Sequence, residues 1–362
     1  MENSNDIGIK SKKIKTKYDR YYDLLEIKTT HVYKKHDGAY EKLDILKNKN
    51  IHKKESKISY MIMAHKIDDQ LNLLLESLLS DHRSVVYVHL DAKVDIHNGN
   101  LINQSNRIVF LENRVRVNWG GFSAVQAMKN LIYEALKDVD SDRFVFISGS
   151  CFPIKIPVKI NNNLLRSKGN IFSIWGGIDP ENLSSEGLGR YCVTKFQPCD
   201  IESLNPKKSI LHSRVWNFYK KVCGKFPLER EVVLSDLWRG SQFFAANRAV
   251  AEWFAQSHPD LDHALKWSLA PDEIYFNTLY IRYIRQQGEK FSEISPCKTE
   301  QGTHYIKKTA PQNRTLRQKL FDPIDLRKLN EIDLPEALAS SCFFARKCNP
   351  EISKEIKLSW NG

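Results

Sequence analysis

Four short apolar runs, set apart by polar turns and helical periodicity, dominate what residues 58–147 can fold into. Ile58-Ser59-Tyr60-Met61-Ile62-Met63-Ala64, Val85-Val86-Tyr87-Val88-His89-Leu90, Arg107-Ile108-Val109-Phe110-Leu111 and Arg143-Phe144-Val145-Phe146-Ile147 are short and rich in β-branched or aromatic residues. Runs of that kind read as buried strands. Leu71, Leu74, Leu75, Leu78 and Leu79 recur at helical spacing within residues 68–80, and residues 123–136 repeat the pattern, with Ser123 placed to cap the helix. Strands alternating with helices predict an α/β domain with a mostly parallel central sheet. Such sheets present ligand sites at the carboxyl ends of their strands. His65, Asp91, Trp119 and the turn 148–151 are therefore the positions to inspect.

The 362 residues divide by texture into a basic extension (1–57), a globular domain (58–348) and a short tail (349–362). Residues 1–57 hold 15 Lys and Arg against 9 Asp and Glu, so they supply half of the net charge of +12. A short helix is expected within them near Tyr18–Ile27. A basic balance invites a polyanion: nucleic acid, an anionic membrane surface or a phosphorylated substrate. The basic residues are not interleaved with a nucleic-acid-binding module, so nucleic acid is set aside. The seven cysteines are odd in number and form no CxxC pair. They read as reduced thiols, which implies a cytoplasmic setting. No run of about 18 apolar residues occurs, so membrane contact is expected to be peripheral.

Five constellations carry chemistry. Ala64-His65-Lys66 and His89-Leu90-Asp91 place polar groups past two strands, where a carboxylate can accept from a ribose or a uracil N–H; polar groups there also commonly satisfy the backbone. Trp119-Gly120-Gly121-Phe122-Ser123 sets an aromatic beside a helix start suited to an anion, the alternative being a core tryptophan at a tight turn. Ser148-Gly149-Ser150-Cys151 ends a strand; Cys151 has no histidine partner at a recognisable spacing, so the thiol reads as structural. His304, Lys307, Lys308, Arg314, Arg317, Lys319, Arg327 and Lys328, with Phe344-Ala345-Arg346-Lys347, could close over a diphosphate. Finally, Pro271-Asp272-Glu273 opens a helix and holds two carboxylates before an apolar-aromatic run, as a general base requires. Asp138-Val139-Asp140 has the DxD spacing of a sugar-transfer metal site but precedes a strand, so no metal site is assigned.

In their order these pieces resemble the core-2/I-branching enzymes of glycosyltransferase family 14: Tyr60–Lys66, Val88–Lys93, Trp119–Val125, Ile147–Lys155, Arg239-Gly240-Ser241-Gln242-Phe243-Phe244, Pro271-Asp272-Glu273 and Phe344-Ala345-Arg346-Lys347. The resemblance implies a bacterial-type member with a GT-A-like fold. It further implies transfer of a sugar, N-acetylglucosamine first and xylose or glucuronate as alternatives, from a UDP-sugar with inversion and with no metal or other cofactor. Glu273 would be the catalytic base; His65, Asp91, Arg317 and Lys347 would bind the nucleotide sugar. Trp119, Arg190, Gln242 and Asp272 would face the acceptor, with Asp272 capping the helix or orienting its neighbour. The basic pair would do the work of a metal at the departing diphosphate. The family usually has an acidic residue where Cys151 stands. Its animal members carry an anchor and disulfides, so a cytoplasmic enzyme acting on a lipid-linked or surface glycan is expected, its basic extension near anionic lipids. Two readings of other classes remain: a basic nucleic-acid-binding protein, suggested by charge alone, and a sugar-binding module without catalysis, which would tolerate Glu273→Gln.

Overall fold

A computed structural model describes residues 33–36, 39–42, 55–95, 105–167, 169–179, 181, 191–205, 209–225, 230–233, 235–288, 302–307 and 328–361. The chain divides into two compact units, 1–54 and 55–362. In the first, strands β1 (Tyr33–His36) and β2 (Ala39–Lys42) pair antiparallel. The helix expected near Tyr18 lies outside the described residues.

The second unit begins β3 (Lys57–Ala64), α1 (Asp69–Leu79), β4 (Ser84–Leu90), β5 (Ile108–Phe110), α2 (Ser123–Leu136), β6 (Ser141–Ser148) and β7 (Cys151–Pro153). It continues α3 (Pro157–Arg166), β8 (Ile171–Gly177), α4 (Tyr191–Thr194), α5 (Ile210–Lys225), β9 (Trp238–Asn247), α6 (Arg248–Ala255), α7 (Pro259–Leu265) and α8 (Tyr275–Gln286). The last elements are β10 (His304–Ile306), α9 (Leu334–Ala339), β11 (Phe344–Arg346) and α10 (Pro350–Leu358). All four expected strands and both expected helices are present, each boundary within two residues of the sequence reading. Asp68 accepts from the Leu71 N–H at 3.0 Å and caps α1. At α2 the cap position belongs to Phe122 rather than Ser123.

The main sheet runs β5-β4-β3-β6-β9-β8. β5, β4, β3 and β6 are parallel, and β9 pairs antiparallel with both β6 and β8. Every residue of β4 is buried, as expected for a parallel strand covered on both faces. β9 accommodates two extra residues between its Phe244↔Phe172 and Gly240↔Ile174 pairs, a bulge over Ser241–Phe243.

A second sheet, β10-β11-β7, folds over the end of β6. Its register sets Arg346 opposite Cys151. The segment expected to be a tail is largely α10, whose buried Ile352 and Ile356 join a small core with Phe152, Ile154 and Ala345. The Ser353 hydroxyl donates to Gln70 Oε1 on α1 at 2.8 Å. That packing draws β11, and with it Lys347, onto the main sheet.

Candidate active site

The carboxyl ends of β3, β4 and β6 lie side by side because the strands are in parallel register. The Asp91 N–H donates to the Ala64 carbonyl at 2.8 Å, and the Gly149 N–H to the Met63 carbonyl at 3.0 Å. Asp91 is buried; one oxygen accepts from the Lys93 N–H at 2.9 Å, and the other stands 3.4 Å from the Lys93 ammonium. His65 keeps an exposed edge, while its ring is set deep enough for desolvation, first, and then the Lys66 charge to hold its pKa below the ordinary value. Lys347 adds to that lowering, and Asp68 and Asp91 oppose it. His65, Asp91 and Lys347, distant in sequence, thus share one electrostatic neighbourhood. Lys347 is brought there by the Cys348 N–H, which donates to the Ser150 carbonyl at 2.9 Å.

The Pro271–Glu273 turn, a single turn of 3-10 helix, packs against β9 and α2. Ala270 adopts the left-handed conformation (φ 51°) immediately before it. The turn is pinned on both sides. The Ala270 N–H donates to the Gly120 carbonyl at 3.0 Å, and the Tyr275 hydroxyl donates to Asp262 at 2.7 Å. From β9, Arg239 donates to Glu273 Oε2 through Nη2 at 2.7 Å and Nε at 3.2 Å. The same guanidinium lies 5.8 Å from the ring centre of Trp175, a half-exposed residue of β8. Glu273 is therefore held in one orientation while keeping about a third of its side-chain surface open (31%).

Asp272 has a different character. Burial, first, and the neighbouring Glu273 charge push its carboxyl up to about 7, against the opposing charges of Arg239 and Arg346. Asp272 is thus a carboxyl that can hold a proton near neutrality. Arg346 reaches this region from β11, with its Nε donating to the Ser148 hydroxyl at 3.2 Å.

Trp119 is 48% exposed, which excludes a core tryptophan. The helix start beside it is already occupied by the protein's own anion: Asp200 accepts from the Ser123 N–H at 3.0 Å and from the Ser123 hydroxyl. Gly120 needs its positive φ of 76°, and a Cβ on Gly121 would lie 2.0 Å from Asp200 Oδ1. The two glycines therefore serve the turn and its Asp200 clasp, in place of the ligand anion expected from sequence.

Gln242 sits partly buried on the β9 bulge. Arg190 and Arg317 lie outside the described residues, as do Lys308, Arg314, Lys319 and Arg327. His304 is buried and stacked 4.1 Å from the Phe243 ring, its pKa held well below the ordinary value by burial and by Arg346, so it belongs to the core. Lys307 pairs with Asp333 at 2.8 Å. Cys151 is fully buried, and burial raises its thiol pKa, which leaves it a poor nucleophile. Asp138 and Asp140 both face the Lys57 ammonium (3.4 and 3.3 Å) at the opposite end of β6 from the site.

Arg239 and Trp175 are site residues to which sequence reasoning gave no role, and Arg346, read there as part of a segment that could close over a diphosphate, is found to act on Asp272. Arg239 stood inside a quoted motif, but only the fold shows that it meets Glu273.

A glycosyltransferase of rice (Oryza sativa subsp. japonica), "Glycosyltransferase BC10", is 46% identical over 44 residues, 12% of this chain and 11% of that relative. The stretch covers about a tenth of the rice protein's length. The family model described as "Core-2/I-Branching enzyme" matches residues 58–307, more than half of the chain and all of the main sheet but its first residue, Lys57. With His65, Asp91 and the Arg239-held carboxylate inside that match, the chain belongs to the core-2/I-branching enzyme family of glycosyltransferases.

Proposed function

We propose that the protein transfers N-acetylglucosamine from its UDP derivative to a glycan hydroxyl, with inversion and without a metal, in building a surface polysaccharide or lipopolysaccharide. The observation that carries this reading is the geometry of Glu273. It is a partly open carboxylate fixed by two bonds from Arg239, beside an Asp272 that can hold a proton near neutral pH. In this reading Glu273 takes the proton of the acceptor hydroxyl as its oxygen attacks the anomeric carbon, and the bond to UDP breaks on the far side. Asp272, its carboxyl raised to about 7 and so partly protonated at neutral pH, limits the negative charge that would otherwise crowd the incoming hydroxyl.

The nucleotide falls to the strand-end cluster. Asp91 and His65 line it, and Lys347 with Arg317 takes up charge on the departing diphosphate. Trp119, exposed beside the Gly120–Ala270 hydrogen bond, offers a stacking face to an acceptor sugar, and Arg190, Gln242 and Asp272 are assigned to the same acceptor. Membrane association and a cytoplasmic setting belong to the same proposal. Among the described residues no helix is long and apolar enough to cross a membrane.

The test is hydrolysis and transfer screened across UDP-sugars, with and without EDTA, and with the anomeric configuration of the product read by NMR. Turnover of UDP-N-acetylglucosamine should survive EDTA, give a β-linked product and fall by about 100-fold or more in Glu273→Gln. Turnover that needs a metal, or a fully active Gln variant, sinks the mechanism.

A further inference from the structure

Helix α5 carries a feature that the transferase reading leaves unexplained. Leu211, Val215, Phe218 and Val222 are spaced four, three and four residues apart, which places them within one narrow stripe of a helix. All four face solvent, with Leu211 67% and Phe218 69% exposed. On the other side Trp216 is buried, and the Tyr219 hydroxyl donates to the Phe196 carbonyl, so the helix is fastened to the domain with its apolar stripe outward. Along the chain, the charge between Glu202 and Glu229 has a single sign. From Ser203 to Leu228 the sequence holds six Lys and Arg (Lys207, Lys208, Arg214, Lys220, Lys221, Lys225) and no Asp or Glu. Arg214 is exposed, and positions 214, 221 and 225 fall along one flank of the stripe by helical periodicity.

We propose that α5 is the face by which this domain lies on an anionic lipid surface, with the Leu211–Val222 stripe among the acyl chains and the basic residues at the headgroups. An exposed apolar stripe flanked by lysine and arginine, on a stretch free of acids, is the chemistry of an interfacial helix. A protein partner would have to meet the same positive field with an acidic face, whereas an anionic bilayer supplies both apolar depth and negative charge.

The position of α5 gives the contact a use. Asn205, just before the helix, donates to the Trp119 carbonyl at 3.1 Å. The Gln197 N–H donates to the Trp267 carbonyl at 2.9 Å, four residues before Pro271. The lipid-facing helix is thus built on the framework that holds Trp119 and the Glu273 turn, so a membrane-bound acceptor would meet the site from the side on which the domain is seated. The contact itself does not depend on the transferase reading, because it is measured without turnover.

The experiment is flotation of the full chain with phosphatidylcholine vesicles, with and without phosphatidylglycerol. Binding should require phosphatidylglycerol and fall steeply with salt. A Leu211→Asp/Phe218→Asp variant should lose about tenfold or more in bound fraction, and Arg214→Glu about fivefold, with UDP-sugar hydrolysis unchanged in both. Charge reversal in the extension (Lys12→Glu, Lys13→Glu, Lys15→Glu, Lys17→Glu) should leave most of the binding in place. The proposal is overturned if the α5 variants float like the parent, if the extension variant alone abolishes binding, or if phosphatidylcholine suffices. It is equally overturned if the chain ignores vesicles and forms a dimer that the Phe218→Asp change dissolves.

Discussion

The two sides of the site hold their charges in opposite ways. On the parallel side, His65 and Asp91 emerge from neighbouring strand ends, with Lys347 carried in from β11. Their partners are local, as when Asp91 engages Lys93 two residues on. On the β9 side the charges are crossed over long distances in sequence: Arg239 meets Glu273, and Asp272 feels Arg346. A local clasp can be remade when a ligand enters, because both partners belong to one loop. A crossed pair is set by the packing of a strand against a turn, so it fixes direction. Recognition suits the first arrangement and proton transfer the second, where small misplacements are costly.

The largest effect should come from breaking the crossed pair. Arg239→Met leaves Glu273 without its two donors, and turnover is expected to fall by about 10- to 100-fold. Combined with Glu273→Gln the losses should be far from additive, since both changes remove one function. Additive losses in that cycle would mean that Arg239 serves the substrate and not the carboxylate.

A smaller loss is expected where the two sides are joined. In Gly121→Ala the new methyl would collide with Asp200, and the clasp at the start of α2 must open. A destabilisation of about 1–3 kcal/mol should follow, read as a lower urea midpoint at unchanged m-value. Asp200→Asn keeps an acceptor but removes the charge, and should cost less than the alanine. If it costs more, charge at the helix start outweighs the steric fit.

The smallest effect is one of pH. Asp272 titrates near 7 in the folded protein and near 4 when unfolded, so the fold favours its neutral form. That contribution is present in full below about pH 4 and is lost as the pH rises through about 7. Asp272→Asn should therefore match the parent's melting temperature at low pH and exceed it by on the order of 3 °C at pH 8. A gap that stays constant across this range would place the raised carboxyl elsewhere.

How far the sequence could be read differs along the same division. The parallel half was readable to within two residues per strand, because buried strands and amphipathic helices impose short-range periodicities. The β9 side was not. Trp238–Asn247 mixes polar and apolar residues over a bulge and shows no simple alternation. The small sheet joins segments nearly two hundred residues apart, a pairing that no local pattern encodes. Glu273 was singled out by its motif. Its partner Arg239 and the raised titration of Asp272 were beyond reach, since each depends on which distant group arrives nearby.

By itself, then, the sequence determined an α/β domain with a parallel sheet, where its ligand edge must be, and which acids and bases lie there. Hydrophobic periodicity carries that information within ten or fifteen residues. Only the tertiary structure decided that Asp200 fills the helix start beside Trp119, that Glu273 is held by Arg239 while burial raises its neighbour's pKa, and that α5 turns its apolar stripe outward. Each of those outcomes is a contest for burial or charge between groups far apart in the chain, and packing settles it.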